Sequence, residues 1–162
     1  MKEKVSLFEG KSLIGRWADF FDAHAAPEIV LGITAREKFT IRFHDTVLTG
    51  LDGLKEHDRL KSVFYDEQHL YYNFQIEEST PHLVLQTQMV WDTRRRTEGN
   101  GSDDHLISDL RHRWTFTYLS DTGEPVILTH ELLELSYRDG FSPSTADTGR
   151  LHTDPSRVKM GR

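Results

Sequence analysis

The chain has 162 residues, a formal charge of −6 and no cysteine, with 36% hydrophobic and 28% charged residues. This composition is typical of one soluble globular domain, and its acidic balance argues against nucleic acid or an anionic membrane surface as a partner. The absence of cysteine excludes thiolate catalysis, Cys-ligated zinc and iron–sulfur clusters.

The first predicted elements are helices. Ser6 and Glu9 have the spacing of a capping box, and apolar side chains then recur every three to four positions as far as Ala25. Pro27 suits the first turn of a short second helix that runs to about Gly32. The N-terminal part of the chain is therefore predicted to be mainly helical.

Strands dominate the rest of the chain. Segment 39–43 alternates apolar and polar residues, as a half-buried strand does, and Asp52 is the predicted N-cap of a third helix that runs to about Tyr65. From about Glu67 the apolar period becomes two residues. The later predicted strands lie within 70–76, 83–91, 112–118 and 126–137. Helices separated from a run of antiparallel strands predict an α+β domain.

The chain is predicted to hold one domain, residues 1–141. The polar, glycine-containing stretch 97–104 is typical of a hairpin loop. Beyond Phe141 the apolar periodicity ends and Ser, Thr, Asp, Gly and Pro become frequent. Residues 142–162 are therefore predicted to form an irregular tail without a core of its own.

Four segments carry a resemblance to a known superfamily. They are WADFFDAH in the first helix (17–24), FTIRFHD at the first strand (39–45), the glycine-marked entry to the third helix (49–57) and the last hairpin (118–127). Together with the element order, they resemble the NTF2-like (SnoaL-like) superfamily of cystatin-like α+β cones. The resemblance covers about residues 7–139 and implies N-terminal helices packed on a curved, mainly antiparallel sheet.

The resemblance also implies candidate site residues. Isomerase and cyclase relatives use a pocket carboxylate from the turn after the first strand, or from late strands, as a general base, and Asp45, with His44 beside it, falls near the first of these positions. Dehydratase relatives pair a pocket histidine with Asp and Tyr, for which His112 or His130 and Tyr72 are the matches. Small subunits of ring-hydroxylating dioxygenases share the fold, but this chain lacks their usual terminal signatures, so that interpretation is disfavoured.

Strand alternation gives the facing of these residues. His112 shares a predicted face with Trp114 in an aromatic row, and a buried imidazole must hydrogen-bond there or line a cavity. The last strand is predicted to present His130 on one face and Glu131 with Tyr137 on the other. Either face of the sheet can belong to a pocket or to a dimer interface.

We therefore predict a pocket between the helices and the sheet, with Asp45 and His112 as its acid–base pair. An apolar wall raises the pKa of a carboxyl group toward the range in which it shuttles protons. The open alternative is that Asp45 only caps its own turn and His112 is a core histidine. The predicted walls are Trp17, Phe21, Tyr72, Trp114 and Phe116. If the strands face the other way, the candidates are His44, His130, Glu131 and Tyr137.

These residues favour a small enzyme that needs no cofactor. The sequence contains no phosphate-binding loop, serine-hydrolase elbow, His-x-His or HExxH pattern, so neither a cofactor nor a metal is predicted. We predict a lyase or isomerase, of dehydratase or cyclase type, acting on an apolar, ring-bearing, polyketide-type substrate by general acid–base catalysis. The alternative is a non-catalytic module on the same scaffold that binds a ligand or a partner.

Two further predictions concern assembly and location. A sheet covered by helices on one face needs cover on the other, which predicts a homodimer formed through the sheet. No apolar run of signal-peptide or bilayer length follows the N-terminus, so a cytoplasmic location without membrane association is expected.

Overall fold

The computed structural model describes residues 4–97 and 102–144. Within them the predicted α+β architecture is confirmed: helices pack on one face of a single six-stranded sheet. Most of the predicted tail and the tip of the polar loop lie outside the described residues. The helices are α1 (Leu7–Asp22), α2 (Pro27–Leu31) and α3 (Gly50–Leu60), with 3₁₀ turns at Arg36–Lys38 and Lys61–Val63.

The ends of the helices follow local chemistry. The predicted capping box is present, because the Glu9 amide donates to Ser6 Oγ and the Ser6 amide donates to Glu9 Oε1, each at 3.1 Å. The predicted N-cap of α3 is wrong by three residues. Thr49 holds that position and Asp52 lies in the first turn, because Gly50, at φ +63°, turns the chain into the helix earlier.

The sheet is mixed and has the strand order β2-β1-β6-β5-β4-β3. Its strands are β1 (Thr40–Phe43), β2 (Thr46–Thr49), β3 (Phe64–Glu78), β4 (Leu83–Arg95), β5 (Asp104–Tyr118) and β6 (Pro125–Tyr137). Neighbouring strands are antiparallel except β1 and β6, which run parallel. Sequence periodicity missed β2, which has only four residues, and the first residues of β3.

The core lies between α1 and the face of the sheet that we call the inner face. Trp17 of α1 meets Trp114 of β5 edge-on, with ring centroids 5.6 Å apart, and both side chains are buried. The Trp114 indole N–H donates to Thr87 Oγ1 at 2.9 Å, so its polar atom is satisfied inside the core. Alternate residues of β4 and β5 continue this inner face.

A register shift in β6 changes which of its residues face the core. His130 pairs with Trp114 and Tyr137 with Ser108, so both lie on the inner face. Glu131 pairs with Arg113 on the outer face. The prediction that Glu131 and Tyr137 share a face is therefore wrong, because the shifts between β5 and β6 break the strict alternation that it assumed.

A similar irregularity in β3 reverses the predicted facing of Tyr72. Tyr72 pairs with Gln88 on the outer face and is 43% exposed, whereas Tyr71 pairs with Met89 on the inner face. Asn73, at φ +55°, lies at the register shift that follows. The apolar residues of segment 70–76 therefore do not form one face, and Tyr72 does not form the floor of an interior pocket.

Two helical glycines offer a matched test of the packing. A Cβ added at Gly53 of α3 would lie 2.7 Å from the backbone carbonyl carbon of Leu48 in β2, whereas one added at Gly15 of α1 meets nothing within 4 Å. We expect Gly53→Ala to lower the free energy of unfolding by about 1–3 kcal/mol. We expect Gly15→Ala to raise it by about 0.5–1 kcal/mol. Urea denaturation measures both; a stable Gly53→Ala protein would contradict the close approach of α3 to β2.

Candidate active site

The inner face and the helices enclose a small cavity. Its volume is about 10 Å³, roughly what one water molecule occupies. Aromatic rings of Trp17, Phe21 and Trp91 form apolar parts of its wall. Its polar lining residues are His57, Lys61, His69, Tyr71, His112 and His130. An unusual number of titratable groups therefore meets in the interior of the domain.

Asp22 and His69 form a hydrogen-bonded pair beside this cavity: His69 lines the cavity, whereas Asp22 contacts His69 and is not itself a lining residue. Asp22 is the last residue of α1, and its side chain is 35% exposed. Its Oδ1 lies 2.7 Å from His69 Nδ1 and accepts the His69 backbone N–H at 2.9 Å. Within the described part of the chain, its Oδ2 has no hydrogen-bond partner. Burial raises the pKa of Asp22, although the His69 amide and Lys61 act to lower it.

Lys61 and Glu67 form a buried ion pair next to His69. Lys61 Nζ lies 2.7 Å from Glu67 Oε1, and that oxygen also accepts the Trp91 indole N–H at 2.9 Å. The other oxygen of Glu67 is 3.0 Å from His24 Nε2, at the end of α1. Burial acts to raise the pKa of Glu67, but Lys61 and the hydrogen bonds outweigh it, so the net shift is downward. Glu67 is therefore ionised at neutral pH.

Three of the cavity histidines, His57, His69 and His112, are neutral. Burial, and then the Lys61 ammonium, lowers the pKa of His69 to about 3. Burial also lowers the pKa of His112 to about 3 and that of His57 well below its usual value. The Nδ1 atoms of His57 and His112 have no hydrogen-bond partner among the described residues. These rings can hydrogen-bond a ligand, but His112 is not the protonated acid that the sequence predicted.

Tyr71 adds a neutral hydroxyl to the cavity. Burial, and then the charge of Asp22, raises its pKa far above the usual value. The Trp17 indole acts to lower this pKa, but the net shift is upward. The phenol therefore keeps its proton and can donate a hydrogen bond to an oxygen in the cavity.

Several predicted site residues lie elsewhere. Asp45 and His44 form the two-residue turn between β1 and β2, where Asp45 is exposed and His44 has φ +53°. Neither lines the cavity, so the structure does not bring Asp45 and His112 together. The reason is that β1 ends in a tight hairpin into β2, which directs its turn away from the interior. Glu131 lies outside and pairs with Arg113 at 2.5 Å.

The predicted aromatic walls are divided between cavity and core. Trp17 and Phe21 line the cavity with ring centroids 4.5 Å apart, whereas Trp114, Phe116 and Tyr137 belong to the packed core and not to the lining. Of the predicted histidines, His112 and His130 line the cavity, and their rings stack at 4.6 Å. Residues that the sequence analysis did not select are Asp22, His57, Lys61, Glu67, His69 and Tyr71.

Two other properties of the described residues bear on function. Within 4–97 and 102–144, no cluster of three or more His, Asp or Glu side chains is arranged to hold a metal ion. None of the helices in these ranges is long and apolar enough to cross a membrane.

Solved structures with the same architecture come from several functional classes. A scytalone dehydratase-like protein from Novosphingobium aromaticivorans superposes with a TM-score of 0.54 at 15% identity, over 82% of this chain and 83% of that one. An aromatic ring hydroxylase-like protein from the same bacterium gives 0.61 at 12% identity, over 81% and 92%. The beta subunit of the benzoate 1,2-dioxygenase from Burkholderia mallei gives 0.60 at 13% identity, over 86% and 94%.

All three are NTF2-like cones. The chain has the NTF2-like fold. It matches no protein-family model and no curated protein sequence. At 12–16% identity the structural likeness of this NTF2-like domain shows the fold alone.

Proposed function

We propose that this NTF2-like domain is a cofactor-independent lyase or isomerase, of dehydratase or cyclase type, acting on an apolar, ring-bearing small molecule. The Asp22–His69 pair carries the proposal, because it joins a carboxylate to a ring that lines the cavity together with other imidazoles and aromatic rings. In the proposed reaction, Asp22 is the general base in place of Asp45. The scytalone dehydratase-like neighbour is consistent with this class of reaction.

Asp22 is the group beside the cavity that is best suited to proton transfer. Its Oδ1 is held by His69, its Oδ2 has no hydrogen bond among the described residues, and burial raises its pKa. We assign Asp22 Oδ2 to take a proton from a carbon next to a ring carbonyl, with the C–H electrons moving onto the carbonyl oxygen. The Tyr71 hydroxyl donates a hydrogen bond to that oxygen. Asp22 then returns the proton, to another carbon in an isomerase or to a departing hydroxyl in a lyase.

The lining favours an uncharged aromatic or ring-bearing ligand. Trp17, Phe21 and Trp91 offer ring faces and edges, and the only lining side chain that carries a fixed positive charge, Lys61, is already neutralised by Glu67. A ring is much larger than the cavity in this conformation. Binding therefore requires side chains to move, and we expect Phe21 to move first, because it is only partly buried and is next to Asp22.

The small cavity also favours a second candidate function. A volume of about 10 Å³ is that of a filled core, as expected for a non-catalytic module that binds partners through its surface. The assignment as a dioxygenase small subunit stays disfavoured on the terminal signatures, although the beta-subunit neighbour has the same fold. The buried ion pair and the Asp22–His69 pair favour the enzyme, because neither is needed to fill a core.

Proton exchange tests the proposal without knowledge of the product. A panel of cyclic ketones and hydroxyketones is incubated with the protein in D₂O, and loss of the α-proton signal is followed by ¹H NMR. We expect at least one compound to exchange faster with protein than with buffer alone. Compounds that bind, as measured by ligand-observed NMR, without any exchange across the panel would contradict catalysis and favour the binding module.

We propose a homodimer formed through the outer face of the sheet. This face exposes Leu70 and Tyr72, and Arg113 lies on it between Glu77 (2.9 Å) and Glu131 (2.5 Å). We expect light scattering at micromolar concentration to give about twice the 18.8 kDa of one chain, and Leu70→Glu to reduce it to one chain. A wild-type mass of one chain would contradict the dimer.

A further inference from the structure

The buried Lys61 ammonium has a specific set of partners. It is 2.7 Å from Glu67 Oε1 and 3.2 Å from His69 Nε2. It also lies over the rings of Phe21 and Trp91, 5.1 and 5.3 Å from their centroids. The ion pair, the imidazole and the two aromatic faces together account for its surroundings.

These contacts determine where His69 carries its proton. An ammonium can only donate hydrogen bonds, so His69 Nε2, 3.2 Å from Lys61, must be an acceptor. The proton of the neutral ring is then on Nδ1, which donates it to Asp22 Oδ1 at 2.7 Å. The hydrogen bonds form one directed chain from Lys61 through His69 to Asp22.

We propose that Lys61 is a positioning residue, which keeps His69 in its neutral Nδ1–H tautomer and thereby commits His69 to holding Asp22 rather than to accepting a proton from substrate. Its role in catalysis rests on the proposed function, whereas the proton position does not. His69 thus orients the Asp22 carboxylate. Of the groups in the Lys61–His69–Asp22 series of hydrogen bonds, Asp22 Oδ2 is the one left to accept a proton from substrate.

Removing the ammonium changes the balance around His69. Glu67 Oε1 is 3.7 Å from His69 Nε2, so the ring would lie between two carboxylates, Glu67 and Asp22. Two neighbouring anions favour the doubly protonated, charged form of an imidazole ring. The other titratable groups that face it are His24, which follows α1, His57 of α3 and His112 of β5. Burial keeps His57 and His112 neutral, so these two rings do not supply the missing charge.

Side-chain ¹⁵N NMR of the histidines, at neutral pH and without ligand, tests this proposal. In the wild type we expect His69 to be protonated on Nδ1 and unprotonated on Nε2. In Lys61→Met we expect Nε2–H to become populated at neutral pH, and a titration to lower pH to show the pKa of His69 raised by at least about one unit. The matched control is Lys55→Met, an exposed lysine of α3, which should leave the His69 signals unchanged.

The double variant Lys61→Met/Glu67→Gln covers the case in which Lys61→Met does not fold, because it leaves no unpaired buried carboxylate. We expect it to fold with a neutral His69 in which Nε2–H becomes populated. For a compound that undergoes α-proton exchange, we expect the double variant to lower kcat about 10-fold or more, with little change in KM. A wild-type Nε2–H tautomer, or the wild-type tautomer retained in both variants, would overturn the proposal. Altered tautomers with no exchange in the wild type would instead overturn only the proposed function.

Discussion

Asp22→Asn is expected to slow α-proton exchange at least about 100-fold, the lower range of what a positioned general base contributes. Asparagine keeps a carbonyl oxygen that accepts from the His69 amide and ring, so the local structure should persist. It has no basic oxygen, so the proton has no acceptor. The measurement is the NMR exchange rate at saturating compound, together with thermal unfolding to show that the variant is folded.

Two carboxylate variants serve as controls for this prediction. Asp19→Asn changes an exposed residue of the same helix and should retain wild-type exchange. Asp45→Asn should also retain it, because Asp45 lies in the exposed β1–β2 turn rather than at the cavity. Equal losses in Asp22→Asn and Asp45→Asn would contradict the assignment of the base to Asp22.

The domain is expected to lose stability steeply in mild acid. His57, His69 and His112 have lowered pKa values in the folded state, so the unfolded chain binds more protons once the pH falls below about 6.5. Each contributes about 1.4 kcal/mol of lost stability per pH unit, or about 4 kcal/mol together. This loss begins near pH 6.5 and continues toward pH 3, where His69 and His112 also titrate in the folded state.

The buried carboxyl groups act in opposite senses below about pH 5. The pKa of Glu67 is lowered on folding, so its stabilisation is lost as the pH falls through that range, which adds to the effect of the histidines. The pKa of Asp22 is raised, so its protonation partly offsets the loss. Between pH 6.5 and 5 the histidines therefore dominate.

Urea denaturation at pH 7.5, 6.0 and 5.0 measures this dependence. His112→Gln should reduce the slope of stability against pH by about one third, because one of the three buried rings is removed. His105→Gln, on the outer side of β5 and paired with Asp92, is the matched control and should not reduce it. Unchanged stability from pH 7.5 to pH 5 would contradict neutral burial of the histidines.

The fold was predictable because its signals are local and repeated. The capping box of Ser6 and Glu9 and the two-residue period of β4 and β5 each reflect backbone geometry that neighbouring residues determine. β2 was missed because four residues are too few to show a period. The parallel pairing of β1 with β6 was also beyond the sequence, because it joins segments about 90 residues apart.

The site was predictable only in part, because single-residue irregularities decide which side chains face inward. Trp17 and Phe21 were found from helical spacing, and His112 from strict alternation in β5. Tyr71 and Tyr72 exchange roles through one register shift in β3 that periodicity does not reveal. The sequence does contain two local signals of the polar cluster at the cavity: His57 and Lys61 are one helical turn apart, and Glu67 and His69 are one strand repeat apart.

Asp22 illustrates a different limit. As the last residue of α1, it has no periodic signal, and its partner His69 is 47 residues away in the sequence. Only the packing of α1 against β3 brings the two together. A long-range hydrogen-bonded pair of this kind follows from the tertiary structure and not from any local pattern.

The central claim is that the interior cavity, with Asp22 beside it in contact with His69, is the working site of this NTF2-like domain. A crystal structure of the protein with the compound that exchanges fastest, or binds most tightly, tests it most directly. The account predicts the ring among Trp17, Phe21 and Trp91, with an acidic carbon next to Asp22 Oδ2 and the carbonyl oxygen near Tyr71. A compound seated on the outer face beside Leu70 and Tyr72, with the interior still closed, would contradict it.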